Sequence, residues 1–272
     1  MGSVHEFYKD AQKEWERLDL PLCRIELAST LQLIDTYFAK GGKVIDIGGG
    51  PGRYMMELLK RGYHVTLFDL SSENIALARV KAAELDLSAD DFLVGDARDL
   101  SALSGRRFDG VLALGPLYHL TERRDRIAFL EAARLLLNPN GILISAYLNA
   151  WGIARTLLTD APAWFADSRK VDCLLTGATF VGAHACSGFT ECHWSTPDDA
   201  REEIQQAGFV VMEEVGAEGF AGGTRNEITA IAKDSPALLE QIIAFAVLTG
   251  KLPQYRRATD HLLLVARART AA

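Results

Sequence analysis

The stretch Val44-Ile45-Asp46-Ile47-Gly48-Gly49-Gly50-Pro51-Gly52-Arg53-Tyr54 constrains this chain more than any other. A short β-branched run carrying one carboxylate meets a cluster of glycines and passes into residues at helical spacing. It reads as a buried strand, a tight turn and a helix. Glycines lack a Cβ and let the backbone approach a ligand closely, and Pro51 suits the first helical position. Met55, Leu58 and Leu59 give the helix an inward face, and Gly62 ends it. A glycine turn opening a helix is a cradle for a ligand. Its spacing separates the candidates: a dinucleotide fingerprint starting at Gly48 requires a glycine at position 53, where Arg53 stands.

More strand ends follow in register. His64 to Phe68 reads as a second strand ending at Asp69, about twenty residues past the glycines, where an acidic residue takes ribose hydroxyls. Ser71 or Ser72 caps the next helix, whose inner face is Ile75, Ala78, Ala82 and Leu85. Asp91 to Gly95 reads as a third strand and delivers Asp96-Ala97-Arg98-Asp99-Leu100. Phe108 to Gly115 is apolar enough to be buried on both faces, as parallel strands are. It breaks at Gly115-Pro116 and continues Leu117-Tyr118-His119-Leu120, with Thr121 as cap of a helix carrying Ile127, Leu130, Ala133 and Leu137. Asn138 to Gly141 reads as a turn and Ile142 to Leu148 as a fifth strand.

Asp46-x-Gly48-x-Gly50-x-Gly52, Asp69, Gly95-Asp96 and the passage from Phe108 to Leu148 together resemble the successive motifs of class I S-adenosylmethionine-dependent methyltransferases. The resemblance covers residues 43 to about 148. It implies an α/β, Rossmann-like seven-stranded and mostly parallel sheet, with an antiparallel last strand, helices on both faces and a helical or irregular substrate cap. It also implies that Asp46, Gly48, Gly50, Asp69, Leu70, Asp96, Ala97 and Leu114 hold S-adenosylmethionine. Asp96 would accept from the adenine amine, and the Ala97 N–H would meet a ring nitrogen. In this family the N-terminal helices lie across the cofactor mouth. Arg24 and Tyr8 would then reach the ligand's carboxylate or the substrate, against a plainer reading as a solvated arginine and a packing tyrosine.

Under this resemblance the chain is one methyltransferase domain. Residues 1–42 form two cap helices and 43–148 the cofactor core. Residues 149–195 and 217–258 are cap insertions, and 196–216 and 259–272 are closing strands. Methyl transfer from a sulfonium needs near-attack geometry and exclusion of water. An oxygen or nitrogen acceptor can also need a base, and His119 is the candidate, with Tyr118 beside it to orient the acceptor; the competing reading has both only packing. His193 and Trp164, Phe165, Phe180, Phe189 and Trp194 are candidate acceptor-pocket residues, or else the small core of the insert. His184, Cys186, Cys192 and His193 offer a zinc-like ligand set, but without C-x₂-C spacing no metal is expected.

A formal charge of −7 argues against nucleic acid as a partner, because phosphate binding rests on clustered cations. With no apolar run near the ~18 residues of a membrane span and no signal peptide, a cytoplasmic monomer or homodimer acting on a small-molecule acceptor is expected. Three other readings stay open: an NAD-dependent oxidoreductase, a non-catalytic S-adenosylmethionine-binding partner subunit, and use of the sulfonium for other chemistry.

Overall fold

The computed structural model describes residues 2–181 and 190–269. Its centre is a sheet whose first five strands are parallel: β1 (Lys43–Ile47), β2 (His64–Asp69), β3 (Asp91–Val94), β4 (Phe108–Ala113) and β5 (Leu137–Asn149). After the short β6 (Ala178–Phe180) and β7 (Cys192–Ser195) come β8 (Phe209–Gly216) and β9 (His261–Ala268). The main order is β3-β2-β1-β4-β5-β9-β8, with β9 antiparallel to β5 and β8 antiparallel to β9. That is the expected seven-stranded arrangement. Two extra strands arise because β5 runs further than its apolar stretch suggested. Its tip at Leu148 and Asn149 pairs with β7, and β7 pairs with β6.

Strand side chains alternate between faces, so each strand feeds two cores. Ile45, Ile47, Val111 and Leu143 pack on one side with Phe129 and Leu130. Val44, Leu112 and Ile144 pack on the other with Leu33, Ile34 and Met55. This burial fixes the strand register, and with it the level at which Asp46 and Asp69 leave the sheet.

The N-terminal segment forms three helices where the sequence suggested two: α1 (Gly2–Phe7), α2 (Ala11–Arg17) and α3 (Pro21–Tyr37). The Asp10 side chain accepts from the Lys13 N–H and so starts α2, while Pro21 sits in the first turn of α3. After β1 comes α4 (Arg53–Lys60), and after β2 comes α5 (Ser72–Glu84), capped by Ser71. The short α6 (Pro116–His119) precedes α7 (Arg123–Leu136). Thr121 does not cap α7; Glu122 takes that place without a side-chain bond.

Further on, α8 (Ala150–Asp160), α9 (Ser168–Thr176), α10 (Pro197–Gln206), α11 (Arg225–Asp234), α12 (Pro236–Thr249) and α13 (Pro253–Arg256) complete the chain. Ile243 and Ala246 of α12 pack on Leu22 and Ile25 of α3. Among the described residues no helix is long and apolar enough to cross a membrane.

Candidate functional site

At the carboxyl ends of β1, β2 and β4 lies a cavity of about 250 Å³. The turn at its floor is tightly built. Gly48 and Gly50 both have positive φ, and a Cβ at Gly48 would lie 2.8 Å from the Pro116 ring. A Cβ at Gly49 would meet the Asp46 carboxylate at 2.4 Å, so only glycine fits between that carboxylate and the cavity. Three amides of the turn are spent internally. Gly48 N–H donates to the Phe68 carbonyl at 2.7 Å, Gly52 N–H to Gly49 at 3.0 Å, and Gly50 N–H to Asp69 Oδ2 at 2.8 Å. Arg53, which breaks the dinucleotide spacing, sends its guanidinium outward. It donates to the Trp15 carbonyl at 2.9 Å and to Asp19, and so fastens the α2 region over the turn.

Three carboxylates surround this floor. Both oxygens of buried Asp46 have no hydrogen-bond donor among the described residues. Burial, reinforced by the charge of Asp69, pushes Asp46 up to about 7. Asp69 is better satisfied, accepting from Gly50 N–H, Ser71 N–H at 2.9 Å and Asn74 Nδ2 at 3.1 Å. Burial nevertheless raises its pKa. Glu14, on α2, is the third, and its pKa is raised by burial against the pull of Arg17. Arg17 is the cation among them. Its Nε donates to Glu14 at 2.8 Å and its Nη1 to Glu26 at 3.1 Å, while Nη2 meets no acceptor among the described residues.

Above the turn, Asp96 is paired with Arg98, which holds its carboxyl below the usual range. Leu70, Ala97 and Leu114 line the same wall. Tyr8, Tyr118 and His119 meet on the same cavity. Tyr8 OH lies 2.8 Å from His119 Nε2, and His119 Nδ1 lies 3.0 Å from the Glu191 carbonyl oxygen. A carbonyl only accepts, so Nδ1 carries the proton and Nε2 presents its lone pair to the Tyr8 hydroxyl. Burial lowers His119 to about 4, which keeps it neutral at physiological pH. Burial raises both Tyr8 and Tyr118, so both stay protonated.

Tyr8, Asp46, Gly48, Gly50, Asp69, Leu70, Asp96, Ala97, Leu114, Tyr118 and His119 therefore share one cavity wall. Two expected residues do not. Arg24 points away and pairs with Glu240 of α12, because Pro21 starts a new helix whose first turn faces α12 rather than the glycine turn. His193 bonds Thr179 across the β6–β7 pair at 2.8 Å and is not a wall residue. Trp164, Phe180 and Trp194 pack on one another as the core of the insert, and Phe165 stays exposed. His184, Cys186 and Phe189 lie outside the described residues; Cys192 is buried in that same small core.

Sequence reasoning missed Glu14 and Arg17. Their spacing of three places them on one helix face beside Leu18, and that was the available signal.

Residues 44–141 match the family model described as a methyltransferase domain. The ubiquinone biosynthesis O-methyltransferase of Azorhizobium caulinodans is 32% identical over 183 residues, which cover 65% of this chain and 62% of that protein. The chain thus spans under two thirds of the length of this curated relative. The CcbJ methyltransferase from Streptomyces caelestis has a similar fold, with a TM-score of 0.59 at 16% identity over 89% of both chains. So does the Burkholderia thailandensis 1,6-didemethyltoxoflavin-N1-methyltransferase, solved with 1,6-didemethyltoxoflavin and S-adenosylhomocysteine bound. Its TM-score is 0.56 at 17% identity, covering 97% of this chain and 84% of that one.

Proposed function

We propose that this chain is a class I S-adenosylmethionine-dependent methyltransferase, a reading its likeness to a methyltransferase domain model and to methyltransferase relatives supports, and that it transfers the methyl group of S-adenosylmethionine to a hydroxyl of a small molecule. The observation that carries the cofactor reading is the charge pattern of the cavity floor. A diphosphate needs free loop amides and nearby cations. Here the Gly48, Gly50 and Gly52 amides are spent internally and Asp46, Asp69 and Glu14 face the site. Carboxylates beside one guanidinium suit the opposite ligand, an amino-acid zwitterion carrying an extra positive charge.

The residues present fit S-adenosylmethionine. Arg17 Nη2 would take the carboxylate of its amino-acid end, and the orphaned Asp46 oxygens answer its positive charges from beneath Gly49. Asp69 would accept from the ribose hydroxyls. Leu70, Ala97 and Leu114 would hold the adenine, with Asp96 shared between Arg98 and the exocyclic amine. When bound, the cofactor supplies an electrophilic methyl group whose leaving group is a neutral thioether.

The rest of the chemistry belongs to the protein. His119 Nε2 accepts a proton from the acceptor hydroxyl, and the Glu191 carbonyl fixes the tautomer that makes this possible. The Tyr8 phenol on Nε2 stands where an acceptor hydroxyl would sit, which favours oxygen as the acceptor atom. Tyr118 packs edge-on against His119 at 4.7 Å between centroids and limits how the ring can turn. We read the N-terminal helices and the 149–195 segment as a cap that selects the acceptor, while 217–258 packs behind α3 and lines no part of the cavity.

Incubation with tritiated methyl donor and a panel of phenols, aliphatic alcohols, amines and thiols tests this reading. Label should appear on one or more hydroxyl compounds. Label confined to amines or thiols would remove oxygen as the acceptor atom.

A further inference from the structure

Behind Arg17 lies a buried row of charges that the reading above does not use. Glu26 of α3 accepts from Arg17 Nη1 at 3.1 Å and from Tyr54 OH at 3.4 Å. A carboxylate oxygen of Glu26, one of Glu218 and a ring nitrogen of His261 all lie within 4.8 Å of one another. His261 Nδ1 meets Glu218 Oε1 at 2.7 Å, and the His261 N–H donates to Glu218 Oε2 at 3.3 Å. Both carboxylates are buried, Glu26 at 8% and Glu218 at 3% exposure. The segments are fastened together, since Ser29 Oγ of α3 donates to the Ala217 carbonyl at 2.7 Å. The signs alternate along the row: Arg17, Glu26, His261, Glu218.

We infer that His261 is a positioning residue for cofactor binding: as an imidazolium between Glu26 and Glu218 it balances the two carboxylates, so that Arg17 is shared between Glu26 and the amino-acid end of the ligand instead of being drawn inward. The inference rests on the reading of Arg17 as the carboxylate partner. Its physical basis is that two buried carboxylates this close repel each other strongly unless a cation stands between them. Loss of the His261 charge leaves the two carboxylates with Arg17 as their nearest cation. The guanidinium is then drawn inward towards them and away from the ligand.

Burial opposes the charge on His261, yet Glu26, Glu218 and Asp260 together bring it up to about 9. Glu26 is held below its usual range despite burial, by Arg17 and His261. The groups facing His261 are therefore Glu26 from α3, with Arg17 of α2 and Tyr54 of α4 behind it, Glu218 after β8, and its own neighbour Asp260. The charged form persists up to about pH 9 and is lost above it.

The test compares two nucleosides that differ in the amino-acid end: S-adenosylhomocysteine, and 5′-methylthioadenosine, which lacks it. In His261→Gln the affinity for S-adenosylhomocysteine should fall about ten-fold while 5′-methylthioadenosine binds as to the unaltered protein; His261→Lys should restore most of the loss. Unchanged 5′-methylthioadenosine binding also shows that the variant is folded. A second measurement needs no substitution. The deaminated analogue 5′-(3-carboxypropylthio)adenosine has the carboxylate but no titrating amine. Its affinity for the unaltered protein should fall as pH rises through about 9, with 5′-methylthioadenosine flat over the same range. Equal weakening of both nucleosides, no weakening of either, or a flat profile for the carboxylate analogue overturns the inference. If the unaltered protein binds 5′-methylthioadenosine and S-adenosylhomocysteine equally well, the Arg17 reading itself fails.

Discussion

Replacing His119 with alanine is expected to lower methyl transfer by two to four orders of magnitude and to leave affinity for S-adenosylhomocysteine within about three-fold. The rate effect is that of removing a positioned general base. The small binding effect follows from what the residue meets: His119 bonds Tyr8 and the Glu191 carbonyl, while the glycine turn, Asp69 and Arg17 line the cavity floor. The pH profile adds a sign. Because burial depresses His119 to about 4, Nε2 stays unprotonated across the neutral range, and loss of rate through this group appears only on the acid side, near pH 4. Steady-state kinetics of His119→Ala, with calorimetry on the same preparation, checks both parts. A variant that keeps most of its turnover would mean that proximity alone carries the reaction and that His119 only packs.

The second large effect concerns Asp46. Asp46→Asn is expected to make the ligand-free protein more stable at pH 8 by a few kcal/mol and to weaken S-adenosylhomocysteine binding at least ten-fold. The folded state raises Asp46 from 3.8 to about 7. Between those values the unfolded chain has released the proton and the folded protein has not. Stability of the ligand-free protein therefore falls as pH rises from about 4 to about 7 and levels above it. Asparagine removes that slope. Binding has the opposite sign, since a cationic ligand favours the ionised carboxylate and affinity should climb as pH passes 7. Thermal unfolding from pH 4 to pH 8, with and without ligand, reads both. Loss of stability in the variant together with unaltered affinity would make Asp46 a packing residue of the turn.

Much of this was legible in the sequence because strand ends are set by burial. Near-continuous apolar runs marked β1, β2 and β4 as strands buried on both faces, and so set the level of Asp46, Asp69 and the Pro116 to His119 turn. Ser71 was readable as a cap because capping is local chemistry. What failed depended on tertiary direction. Arg24 and Arg17 are only seven residues apart, but Pro21 begins a new helix between them, and no local rule says which of the two helices faces the turn. His193 looked available because its neighbours are polar and aromatic; its partner Thr179 comes from the pairing of β6 with β7, two short strands that join the sheet at the tip of β5. The tyrosine on His119 and the charge row behind Arg17 join residues more than a hundred positions apart, beyond what spacing can indicate.

By its charge pattern the cavity floor should accept an amino-acid zwitterion on a nucleoside and refuse a diphosphate. Calorimetric titration of the purified protein with S-adenosylmethionine, S-adenosylhomocysteine and NAD under one set of conditions decides between them. Micromolar binding of the first two with none of the third is expected. Binding of NAD with no response to either sulfur nucleoside would reverse the assignment, because the loop amides spent on Phe68, Gly49 and Asp69 would then have to be free for phosphate.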